Sequence, residues 1–123
     1  MRSFIEVSIG LLFIANNLFA QTVTVEIRNI RNDKGNVLVM AQSGKDSQPI
    51  YGMAKPEKGV AIVTLENVTQ KQFEVSAFHD ENDNWTMDLN ENQMPVEGYV
   101  HKNYTLKDGE NICKMKLYYP VNQ

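Results

Sequence analysis

The first regular pattern in the chain is an alternation over residues 22–28, which puts Val23, Val25 and Ile27 on one face and polar groups on the other. That period predicts a half-buried β-strand. Asn32-Asp33-Lys34-Gly35 follows as a turn, with glycine where a positive φ is needed. Residues 36–41 are apolar on both faces and predict a central strand, paired with the first as a hairpin. Residues 42–58 are polar and hold Gly44, Pro49, Gly52 and Pro56, as expected of a long connection between sheets.

Further strands are predicted over residues 59–65 and 72–78, where Phe73, Val75 and Ala77 share the inward face. Residues 100–106 offer a short strand. The last long one, residues 111–119, puts Cys113, Met115, Leu117 and Tyr119 inward and Lys114 and Lys116 in water. No stretch carries helical periodicity. Short strands between turn signals predict an all-β fold, a small antiparallel β-sandwich with about seven strands, Greek-key connections and an immunoglobulin-like outline.

The N-terminus changes the picture of where the chain works. Arg2, an apolar run over residues 5–15 broken by Glu6, and Leu18-Phe19-Ala20 have the form of a secretory signal cleaved before Gln21. The run is well short of the roughly 20 residues a membrane span needs. The alternative is an uncleaved anchor or a buried first helix. Export leaves residues 21–123 as one domain of about 100 residues, periplasmic or extracellular, with no transmembrane segment in the mature chain. A net charge of -3 argues against nucleic acid, which calls for a basic stripe. The single cysteine, Cys113, excludes an internal disulfide and a thiolate metal cluster, and its phase marks it as a core thiol.

Charge is distributed unevenly. Between Gln72 and His101 stand seven carboxylates and no lysine or arginine. Oxygen-bearing side chains at Asp80, Asn82, Asn84, Thr86, Asp88 and Glu91 fall at the ligand positions of a calcium loop of EF-hand spacing. Asp80, Asn82, Asn84 and Asp88 would supply side-chain oxygens, Thr86 a backbone carbonyl, and Glu91 a bidentate closure. Acids this close repel one another, so a bound cation is the simplest compensation, and calcium is the expected one. Trp85 sits where the sharp turn of such a loop wants glycine, and no helix follows. The competing reading is a solvated acidic loop held by Asx-turns.

Ala77-Phe78-His79-Asp80-Glu81-Asn82, with Asn84, Asp88, Pro95 and Glu97-Gly98-Tyr99, resembles the signature of secreted bacterial proteins grouped as domain of unknown function 2141. The strand-turn-strand start through Asn32 to Val39 is similar as well. Family members often have glycines where this chain has Asp83 and Trp85. The resemblance implies a sandwich like those of transthyretin and carboxypeptidase regulatory domains, and it implies no activity.

Two candidate residues remain. His79, in phase with the inward residues, reads either as a metal ligand or general base, or as a strand-end imidazole bonded to a loop carbonyl or acid. Trp85, the sole tryptophan, reads as a binding anchor for a protein partner or a carbohydrate, or as a cover for the sandwich end. The expectation is a non-enzymatic, exported binding module. The alternatives are a small hydrolase using His79 with the loop carboxylates, and an accessory subunit of an envelope complex.

Overall fold

The computed structural model describes residues 20–120. The signal segment expected over residues 1–20 therefore lies, Ala20 apart, outside the described residues. Seven strands follow in order: β1 (Gln21–Arg28), β2 (Asn36–Gln42), β3 (Ile50–Ala54), β4 (Ala61–Val68), β5 (Gln72–Asp80), β6 (Tyr99–Thr105) and β7 (Asn111–Lys116). They form a three-stranded sheet, β4-β1-β7, packed on a four-stranded sheet, β3-β2-β5-β6. Every neighbouring pair is antiparallel except β1 and β7, which run parallel. The fold is the small all-β sandwich that the alternating pattern predicts.

The core is the meeting of two inward faces. Val23, Val25, Ile27, Val63, Leu65, Cys113 and Met115 come from one sheet, and Val37, Val39, Phe73, Val75 and Ala77 from the other. Each fully buried Val, Leu or Ile contributes about 1.5–3 kcal/mol. Period two is broken in β4, where a bulge sets Glu66 and Asn67 opposite Thr22 and Asn67 takes a φ of 59°. The slip turns Val68 inward, where it is buried.

Two expectations are corrected. The first two strands do not pair. Both edges of β1 are taken, by β4 and β7, and β2 lies in the opposite sheet, so residues 29–35 cross between layers rather than close a hairpin. The segment at 42–58 is not all connection, because it holds β3, an edge strand paired with β2. Gly52 hid this strand. A side chain there would meet Val63 Cγ1 at 2.6 Å, so glycine is what lets β3 lie close over the other sheet.

Candidate functional site: the acidic loop and the face below it

β5 ends at Asp80 and β6 begins at Tyr99, so residues 81–98 form a long loop at one end of the four-stranded sheet. Its anchor is the strand end itself. Asp80 is buried, and its two carboxylate oxygens accept the N–H groups of Asn84 (3.2 Å) and Trp85 (2.8 Å). Gly35, at a φ of 60°, passes so close that a Cβ would stand 1.9 Å from the Asp80 carbonyl oxygen. The turn at 32–35 and the start of the loop are thus fitted to each other by a residue without a side chain.

His79 is fully buried beside this junction. Its Nε2 lies 2.6 Å from the Lys34 carbonyl and its Nδ1 3.1 Å from the Tyr119 hydroxyl. A carbonyl only accepts, so Nε2 carries the ring hydrogen and Nδ1 accepts from Tyr119. The Tyr119 hydroxyl in turn accepts the Arg31 N–H at 3.0 Å. Both imidazole nitrogens are used by the fold, as the strand-end reading expects, and neither is open to a substrate.

A second clamp ties the 29–35 crossing to the loop. The Arg31 guanidinium donates to both oxygens of Glu81, at 3.0 and 2.6 Å, and to the Val96 carbonyl at 3.0 Å. It lies 4.5 Å from the centre of the Tyr119 ring. Asn32 adds a third donor to Glu81 at 2.6 Å. The Arg31 hydrogen bond is the main reason the Glu81 carboxyl sits below the usual range, and Glu81 raises Arg31 in return. Glu97, buried, accepts the N–H groups of Glu81 (3.0 Å) and Asp88 (3.2 Å). Burial pushes its carboxyl up, and those two N–H groups pull against the shift.

Farther out, the amides of Asn82 and Asn84 each donate to Asp88 at 2.8 Å, and Asn84 Oδ1 accepts the Thr86 N–H at 3.0 Å. Asp83 accepts from the Asn36 amide across on β2. The loop therefore answers most of its charge with protein donors. Glu74, at the far end of β5, meets His101 at 2.9 Å. Of the seven carboxylates between Gln72 and His101, only Glu91 makes no side-chain bond among the described residues, and it is exposed.

The structure thus brings Asp80, Asn82, Asn84, Thr86 and Asp88 into one bonded loop and leaves Glu91 outside it. Among the described residues, no group of three or more His, Cys, Asp or Glu side chains is arranged to hold a metal ion.

Sequence reasoning missed the face beneath. The outward side of the four-stranded sheet is apolar, with Leu38 and Met40 on β2, Tyr51 and Met53 on β3, Phe78 on β5 and Tyr99 on β6. Trp85 and Met87 reach it from the loop, and together these residues line a groove of about 800 Å³. Trp85 is 66 % exposed and holds a φ of 65°. Asp83, at 56°, is also left-handed, so both positions where glycines are common keep the backbone that suits glycine. A signal for the groove is present in residues 36–41, which are apolar on both faces.

Fold and loop together define a small β-sandwich with an internally bonded acidic loop standing over an apolar outer sheet face. The chain belongs to a family described as an uncharacterized protein conserved in bacteria, domain of unknown function 2141, whose model matches residues 25–109. No curated protein and no solved structure matches it. No helix among the described residues is long and apolar enough to cross a membrane.

Proposed function

We propose that the chain is an exported, non-catalytic binding module whose ligand lies in the groove on the outer face of the four-stranded sheet. Export rests on the form of residues 1–20. The observation that carries the binding site is Trp85, an exposed indole over an apolar groove on a left-handed backbone. A bulky residue in that conformation costs about 1–2 kcal/mol. Strain of this kind persists where a side chain has work to do. The groove is of the size that holds small ligands, and its lining of thioethers and rings offers few polar groups to a sugar.

Trp85 supplies its own readout, since no other tryptophan is present. The environment-sensitive dye anilinonaphthalene sulfonate should bind saturably and quench Trp85 emission by energy transfer. Met53→Lys, on the exposed groove wall, should abolish binding without lowering the melting temperature. Dye binding that Met53→Lys leaves intact would place the ligand site elsewhere, and absence of saturable binding would end the proposal.

Calcium in the loop is a second reading, favoured by the convergence of Asn82 and Asn84 on Asp88. It requires both amides to turn their oxygens inward, which costs Asn84 its bond to the Thr86 N–H. The hydrolase alternative built on His79 finds no support, because both of its ring nitrogens are engaged within the fold.

A further inference from the structure

The groove is apolar, yet soft donor atoms line it: Met40 and His101 on its floor and Met87 from the loop. Strand register sets Tyr51 beside Met40, Met40 beside Ser76, and Ser76 beside His101, so these four form one row across the outward face. Neighbouring strands stand about 4.8 Å apart, so Met40 and His101 are separated by roughly 10 Å of backbone. Ser76 lies between them. Its short side chain leaves a hollow that a methionine and an imidazole, each reaching several ångströms, span from either side. Met87 lines the same groove from the loop, two residues after Trp85.

The imidazole is oriented by a carboxylate. Glu74 Oε2 lies 2.9 Å from His101 Nδ1, and Nε2 makes no hydrogen bond among the described residues. A carboxylate on one ring nitrogen fixes the tautomer and leaves the other nitrogen's lone pair free, as it does for metal-bound histidines. His79, the other histidine, has no such free atom.

We propose that the groove binds Cu(I), with His101 Nε2 and the thioether sulfurs of Met40 and Met87 as donors and the Trp85 ring over the ion. The inference rests on the reading of the groove as the binding site and names its ligand. Thioethers are soft and polarizable and select Cu(I) over hard cations, and an imidazole completes a neutral set suited to a singly charged ion. An indole face adds cation–π attraction. Leu38 and Phe78, also in the lining, bring no hard donors to compete with the thioethers. The carboxylates of the loop, all but Glu91 already bonded to protein donors, are left out of the coordination.

Anaerobic titration of residues 21–123 with Cu(I), against the chromogenic chelator bicinchoninate, tests this. The expected result is one Cu(I) per chain with quenching of Trp85 emission. Met40→Leu with Met87→Leu, which conserves volume and apolarity, should remove Cu(I) binding while leaving the melting temperature unchanged. Glu74→Gln should weaken affinity about tenfold, as loss of an orienting partner does, without changing the stoichiometry. Cys113→Ala should leave Cu(I) binding unchanged, because that thiol is buried on the other sheet. Absence of Cu(I) binding, binding that survives the double methionine variant, or binding lost with Cys113 each overturns the site. Dye binding without Cu(I) binding overturns the metal alone and leaves the groove as the binding face.

Discussion

A tryptophan at a φ of 65° is the most costly residue-level choice in the loop. Replacing Trp85 with glycine should raise stability by about 1 kcal/mol, since glycine adopts that backbone without strain and an exposed indole loses little packing. The same variant should lose the dye binding, and paired urea titrations and fluorescence measurements read both effects. A variant that is no more stable would mean the backbone there is not strained. The opposite holds at Gly35. An added methyl meets the Asp80 carbonyl in a left-handed backbone, so Gly35→Ala should cost about 3 kcal/mol or more, measured by denaturant unfolding. Glycine was expected at Gly35 from the turn composition alone. Its fit against Asp80 was not, because the two are 45 positions apart in sequence.

At the scale of elements, the crossing at 29–35 and the loop at 81–98 are joined by Arg31, Glu81 and Tyr119 rather than by strand pairing. This junction has a pH signature. Glu81 has its folded value below the unfolded one, so its contribution is present above the usual carboxylate range and is lost as pH falls through the lowered value. Glu97 acts in the opposite sense. Its folded value lies above the unfolded one, so its ionisation costs stability as pH rises through that value. As pH falls from 6, the loss from Glu81 and the gain from Glu97 therefore oppose each other in the melting temperature, and replacing Glu81 isolates its share. In Glu81→Gln the acid limb should be shallower, with neutral-pH stability reduced by about 2 kcal/mol through loss of the charged hydrogen bonds. An identical acid limb in both proteins would remove the clamp from the account. Five strands were legible as alternating or doubly apolar runs, and β6 as a shorter one. β3 was not, since its central glycine and flanking prolines are the marks of a loop until the facing sheet is in place.

For the whole molecule, the question is whether the acidic end needs an ion. Spacing alone suited calcium, and the repulsion argument supposed carboxylates without donors. Folding supplies Asp80, Glu81, Asp88 and Glu97 with donors of their own. The melting temperature should accordingly move by less than about 2 °C between 2 mM calcium and excess chelator. A site with a dissociation constant near 10⁻⁴ M would instead add about 1.5 kcal/mol, or ~6–12 °C in a domain of this size, and such a rise would establish the calcium loop.

The sequence by itself determined the class of fold, the central place of β2, the burial of Cys113 and the position of an acidic loop at the end of β5. Each follows from local period and composition, which act over a few residues. Only the tertiary structure decided which strands share a sheet, that His79 and Asp80 are sealed into the junction, and that Trp85 and Met87 close over an apolar sheet face. Those facts depend on residues far apart in the chain arriving at the same few ångströms, and no local pattern encodes that meeting. Leu38 and Met40 make the point: their apolar phase was visible from the start, but an uncovered outer face and a buried one have the same alternation.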